Sequence, residues 1–246
     1  MKKLLLIFSI IFTFSHINAQ ILNRVSKMVN ADSAQKIISS VTQSPNQLSN
    51  GDIISGLKEA LSVGTNNASK MLGTTDGYFA NAAVKILMPD EAKKVEKTLR
   101  QFGISSLVDK AILSMNRAAE DAASGVGSIF LDGIKQMTIA DGLSILRGGD
   151  NAATEFLKKT TATQLKEKMR PVIEASLVKT DATKYWNDVF TQYNKFTAKK
   201  INPDLADYVT SKAMDGIFYQ VAQEETKIRK DPAAQVTDLL KKVFGN

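Results

Sequence analysis

The sequence predicts an all-α fold: one bundle-like domain of about eight to ten helices with no significant sheet, the count following from helix lengths of roughly 10–14 residues. Three observations predict it. Apolar residues recur at helical spacing over much of the chain, as in Ile53, Ile54, Leu57, Ala60 and Leu61. Glycine, proline and capping residues cut that pattern into helix-sized pieces. No window combines period-two alternation, β-branched enrichment and an Asn-Gly type of turn, as strands would require.

The elements follow in order. Residues 1–19, MKKLLLIFSIIFTFSHINA, place two lysines before an apolar run from Leu4 to Phe14 and end at Ala19 before Gln20. That is the order of a secretory signal peptide. The run is shorter than the about 20 apolar residues that a membrane-spanning helix needs. No lipobox cysteine follows, so the mature chain is expected to be periplasmic or secreted, with no transmembrane segment after cleavage. Residues 20–51 read as an N-terminal helical segment and linker: one or two short helices within 21–42, then TQSPNQLSNG at 42–51. The all-α domain is assigned to 52–246.

Within that domain, a helix is expected from Asp52 to Leu72. GTTDGYFAN at 73–81 is a glycine-containing loop with the aromatic pair Tyr78 and Phe79. Pro89 opens a helix that Gly103 closes. Ser105 or Ser106 caps a long helix, which Gly125 and Gly127 break before SIFLDGIKQM. Thr138 and Asp141 form a capping box for a short helix ending at Gly148-Gly149. Asp150 is placed to cap NAATEFLKK. A helix at 163–178 contains Pro171 and must kink or restart there. Another runs from 182 to 198. Asn202-Pro203 and Asp231-Pro232 each read as an N-cap followed by proline at the first helical position. Gly245 ends the last helix.

Composition narrows the chemistry. Hydrophobic content is 43%, enough for a real core. The formal net charge is +7, spread without a run of five or six like charges. Nucleic-acid binding is therefore not expected, whereas weak attraction to anionic lipid or another envelope polymer is compatible with the charge. There is no cysteine, and the only histidine, His16, lies in the segment to be removed. A mature chain without His or Cys has no zinc site built on those ligands and no nucleophile–histidine pair. Proton transfer would fall to Asp, Glu, Lys or Tyr. No cofactor, metal or catalytic residue is assigned.

Two polar clusters stand out. In LSMNRAAEDAAS at 113–124, Val108, Ala111, Ile112, Met115, Ala118, Ala119 and Ala122 share one helical face. Asn116, Arg117 and Glu120 lie on the other. Spacing alone favours a solvated face with an Arg117–Glu120 pair at i, i+3. Leu113 and Leu131 project to the same side, however, and would make the helix central and these groups partly buried. The second cluster is in 211–232. Met214, Ile217, Phe218, Val221 and Ile228 form an apolar stripe, Glu225 projects close to its centre, Arg229 follows one turn later and Glu224 flanks it. The ordinary reading is a structural ion pair, with Arg117 as one partner considered, since a buried unpaired charge is costly. A carboxylate acid or base is the sharper alternative. With Asp215, the candidate binding cluster is Asn116, Arg117, Glu120, Asp215, Glu224, Glu225 and Arg229.

Asp-Gly followed by an apolar residue recurs at Asp76, Asp132, Asp141 and Asp215. Close helix contact is the simplest reason for glycine there; calcium-loop spacing is absent. Tyr185, Trp186, Phe190, Tyr193 and Phe196 form an aromatic stripe that reads as core.

GLKEAL, DGYFANAAVKILMP, MNRAAEDA, IFLDGIKQMT, NAATEF, DLADYVTSKAMDGIFYQVAQEETKIRKDP and the final LLKKVFG together resemble the bacterial exported proteins grouped as domain of unknown function 4197. The resemblance covers Asp52 to Asn246. It implies a helical exported domain and no catalytic residue. Many relatives are lipoproteins; the missing lipobox cysteine means tethering is not implied here. The function expected is an exported binding or envelope-associated module with a structural polar network. Alternatives are a carboxylate acid/base enzyme and a carrier of lipid or another hydrophobic ligand held between helices.

Overall fold

A computed structural model describes residues 49–195 and 204–244. The expected signal peptide at 1–19, the segment 20–48, the Asn202-Pro203 signal, Phe196 and the Gly245 stop lie outside the described residues. Nine α-helices and one 3-10 turn are described, and no strand occurs among those residues. They belong to one compact unit, Leu48–Asn246.

Helix α1, Asn50–Leu72, starts two residues before the expected Asp52. Ser49 supplies the reason. Its hydroxyl accepts from the Asp52 amide at 3.1 Å, and the Asp52 carboxylate accepts from the Ser49 amide at 3.2 Å. This reciprocal cap turns the end of the supposed linker into helix. Helix α2 is Asp90–Gln101, with Pro89 as its N-cap. Its end is a Schellman turn. Gly103 has φ +77°, the Gly103 amide donates to the Arg100 carbonyl, and the Ile104 amide donates to the Leu99 carbonyl.

Helix α3, Ser105–Ala123, starts without the expected serine cap. Ser105 is already its first helical residue, and Ile104 is the uncapped N-cap. Helices α4, Gly127–Lys135, and α5, Ile139–Arg147, follow, the latter with the predicted Thr138–Asp141 capping box. Helix α6 runs unbroken from Ala152 to Lys179. Pro171 neither restarts nor ends it, because its ring is on the exposed side, where the lost amide leaves only a solvated carbonyl. Helix α7 is Ala182–Asn194, and α8 is Leu205–Lys230. The α8 cap is Asp204, whose carboxylate accepts from the Asp207 amide at 3.0 Å. Asp231-Pro232 caps only the 3-10 turn Pro232–Ala234; the last helix, α9, is Asp238–Phe244.

Helices α3 and α8 sit centrally. Helix α3 packs against α6, α7, α8 and α2, and α8 packs against α6, α1 and α3. The alanine-rich face of α3 is buried throughout, which permits that close approach. Trp186, Phe190 and Tyr193 are buried as expected for core, while Tyr185 is half-buried. Phe130 and Phe218 meet edge to face with centroids 5.8 Å apart.

The Asp-Gly glycines answer to contact. A Cβ on Gly216 would lie 2.6 Å from the Tyr78 ring, and one on Gly142 2.0 Å from Ile54. A Cβ on Gly133 would lie 2.4 Å from Thr161. Each helical glycine therefore admits a neighbour that alanine would exclude, which outweighs its propensity cost of about 1 kcal/mol.

Several helix ends are capped by other helices. Ser69 on α1 donates to the Ala123 carbonyl at 2.7 Å, at the end of α3. Lys58, also on α1, donates to the Lys135 carbonyl at 2.9 Å, at the end of α4. Orphan carbonyls that water would otherwise satisfy are thus tied across the bundle.

Candidate functional site

The first cluster lies on the half of α3 nearest the loop after α1. Asn116 is fully buried and Glu120 nearly so, while Arg117 is half-buried. The solvated-face reading is overturned, because the loop 76–88 covers this side of the helix. Asn116 acts as a substitute peptide. Its Oδ1 accepts from the Ile86 amide at 2.8 Å, and its Nδ2 donates to the Ile86 carbonyl at 2.8 Å. Residue 86 lies in a stretch without regular secondary structure, and one side chain satisfies both of its backbone polar groups. Glu120 Oε1 accepts from the amides of Tyr78 and Phe79, each at 3.1 Å. Its Oε2 takes Arg117 at 2.7 Å, and Arg117 also reaches Asp76 at 2.8 Å. Hydrogen bonding to Glu120 raises the Arg117 pKa above its ordinary value.

Tyr78 completes this clamp. Its ring lies over Gly216, and its hydroxyl donates to the Ala213 carbonyl at 2.7 Å. Burial, with lesser contributions from the charges of Glu120 and Asp215, pushes the phenol far above its usual range. It therefore remains a donor at any ordinary pH.

The second cluster lies on α8. Glu225 Oε1 accepts from the Ala153 amide at 3.0 Å, and Oε2 accepts from the Thr154 amide and hydroxyl, each at 2.8 Å. Glu225 is thus the cap of α6, a role that the sequence assigned to Asp150. Asp150 instead pairs with Lys230. Arg229 lies 2.8 Å from Glu225 and also donates to the Ile145 carbonyl at 3.0 Å, in the last turn of α5. Each charge of the pair faces the helix end that favours it: the anion at an N-terminus, the cation at a C-terminus. Glu224 takes Asn67 at 3.0 Å and Lys227 at 2.6 Å.

Arg117 is not the partner of Glu225. The Asn116, Arg117 and Glu120 bonds run to loop 76–86, while those of Glu224, Glu225 and Arg229 run to α1, α5 and α6. Asp215 joins neither group. Its side chain is 66% exposed and lies 3.7 Å from Lys212. The four Asp-Gly aspartates also disperse, to Arg117, Lys135, Thr138 and Lys212. No three metal-ligating side chains come together among the described residues.

The first clamp shapes a concavity on the far side of the loop it holds. Val84, Ile86 and Met88 are buried, whereas Lys85 is half-buried and Leu87 exposed. The sequence does not show this alternation cleanly, because apolar Leu87 stands at an exposed position, and the stretch before Pro89 was left unassigned. The Tyr208 hydroxyl donates to the Leu87 carbonyl at 2.7 Å and ties the stretch to α8. Between them lies a groove of about 630 Å³ lined by Lys85, Leu87, Lys93, Tyr208, Lys212 and Tyr219, with Asp90 and Asp215 at its edge. Asp215 is the one residue of the predicted set that faces it. By contrast, the cavity beside Glu225, Arg229 and Phe244 measures about 20 Å³. That is room for about one water.

No helix among the described residues is long and apolar enough to cross a membrane. No curated protein and no solved structure matches the chain. A family model does, over residues 47–245, and its span takes in both clamps and the groove. The chain belongs to the family described as protein of unknown function DUF4197.

Proposed function

We propose that this chain is an exported binding module whose ligand sits in the groove between residues 83–90 and α8. The observation that carries the reading is the pairing of that groove with a wall held from behind. Asn116 fixes both polar groups of Ile86, and Glu120 fixes the start of the same loop. A binding site needs walls that keep their place before the ligand arrives. The groove volume falls in the range of roughly 300–1,000 Å³ common to small-molecule sites.

The clamps themselves are structural in this reading. Both oxygens of Glu120 and of Glu225 accept hydrogen bonds from backbone, hydroxyl or guanidinium groups. Buried carboxylates with both oxygens so engaged present no free oxygen to a substrate, which counts against the acid/base reading. The small cavity beside Glu225 counts against a carrier holding its ligand between helices. Export rests on the n-region, apolar run and small residue before Gln20.

The test is native mass spectrometry of the chain recovered from a bacterial envelope fraction. A mature mass beginning at Gln20 and a bound small molecule are expected. The bound mass should vanish in the double variant Leu87→Asn, Tyr219→Ala. An uncleaved cytoplasmic chain contradicts export, and a bound mass indifferent to both changes contradicts the groove.

A further inference from the structure

The groove is unevenly charged. Lys93 Nζ lies 2.7 Å from Asp90, and Lys212 Nζ lies 3.7 Å from Asp215. All four side chains are well exposed, so these pairs exchange readily with other ions. Lys85 differs. It has no carboxylate partner among the described residues; its ammonium lies 3.8 Å from the centroid of the Phe79 ring. A ring face positions a cation without neutralising it. The backbone beneath is equally fixed. The Lys85 amide donates to the Asn81 carbonyl at 2.9 Å, and the next residue is the one clamped by Asn116. Lys85 is therefore a groove-lining residue whose ammonium is held by a ring and carries no carboxylate partner among the described residues. Beside it, Leu87 is 54% and Tyr219 43% exposed, two large apolar surfaces that water covers poorly.

We propose that the groove takes a small amphiphile with an anionic head, the head at Lys85 and the apolar part along Leu87 and Tyr219. The inference rests on the groove being the binding site. A cationic head is disfavoured by the balance of the lining, where three lysines, Lys85, Lys93 and Lys212, face two aspartates, Asp90 and Asp215. Lys93 and Lys212 also line the groove, and in the proposed complex either transfers from its aspartate to a second oxygen of the head. A bare inorganic anion would leave the apolar wall unused. The same head chemistry is offered by a free phosphate ester and by an anionic lipid at a bilayer surface.

Calorimetric titration of the purified chain tests this, with dodecyl phosphate below its micellar concentration, dodecyltrimethylammonium as the tail with opposite charge, and inorganic phosphate as the head alone. Dodecyl phosphate is expected to bind one to one, to weaken with added salt, and to bind more tightly than inorganic phosphate. Lys85→Gln should reduce its affinity by about tenfold, the worth of one charge-assisted contact. Lys85→Arg should retain it, and both variants should keep the parent's melting midpoint. Sedimentation with phosphatidylglycerol but not phosphatidylcholine vesicles, lost in Lys85→Gln, supports the proposal with a bilayer source. Binding of the monomeric ester without vesicle binding supports it with a free ligand. Equal binding of both dodecyl ions, weakened by Leu87→Asn, overturns the anionic head while leaving the groove as a site. Absence of binding, or binding indifferent to both Lys85→Gln and Leu87→Asn, overturns the inference and the groove together.

Discussion

Glu225 shows how much one side chain can hold. It closes the α6 N-terminus and anchors Arg229, which in turn reaches the end of α5. Glu225→Gln keeps the size but turns an acceptor into a donor facing other donors. Breaking so buried a pair is expected to cost about 3 kcal/mol. The melting midpoint of a domain this size should then fall by roughly 6–12 °C. An unchanged midpoint would mean that α6 finds its cap elsewhere. Asn116→Ala leaves a buried amide and a buried carbonyl of Ile86 unpaired, at about 1–3 kcal/mol each. Gly216→Ala pushes a methyl into the Tyr78 ring and should cost about 1–3 kcal/mol as overpacking. Denaturant titrations of both variants check these values. Only part of this was legible in the sequence. A carboxylate on an apolar stripe announced that Glu225 needs a partner. Its partners are backbone amides some seventy residues away, and amides carry no residue identity. Arg117 was considered because side chains are the only partners that a sequence displays.

Among the helices, the local caps separate into those that a chain segment makes for itself and those supplied from across the bundle. The self-made ones titrate. Hydrogen bonds from Ser49 and Thr138 hold the carboxyls of Asp52 and Asp141 below their ordinary values, and the Asp207 amide does the same for Asp204. Because the folded pKa lies below the unfolded one, these caps contribute fully above the unfolded value of about 3.9 and are lost as pH falls through the folded value. Urea midpoints should therefore drop on acidification below about pH 4, and less steeply in Asp141→Asn than in the parent. Equal slopes would show that the Thr138–Asp141 box carries no charge-dependent stability. The Thr138–Asp141 box was legible because its residues stand three apart. The Ser49–Asp52 box was missed because SNGD looks like linker by composition. Pro171 was overread: its cost depends on which way its ring faces, and only packing decides that.

Across the whole molecule, α3 and α8 act less as amphipathic rods than as racks of polar side chains reaching into the backbone of other segments. Every buried side-chain nitrogen and oxygen among the described residues has a partner. In a domain without disulfides, such ties are what can hold non-helical backbone still. The helical fold class was legible in spacing and punctuation. The groove was not, because one wall is a short stretch outside any helix and the other belongs to a helix more than a hundred residues later. The most direct measurement is amide hydrogen exchange by NMR on the purified chain. The amides of Tyr78, Phe79 and Ile86 lie outside every helix, and they are predicted to be protected like those of α3, with Ile86 protection lost selectively in Asn116→Ala. Exchange of these three amides as fast as in an unstructured peptide, while α3 stays protected, would contradict a loop clamped from within.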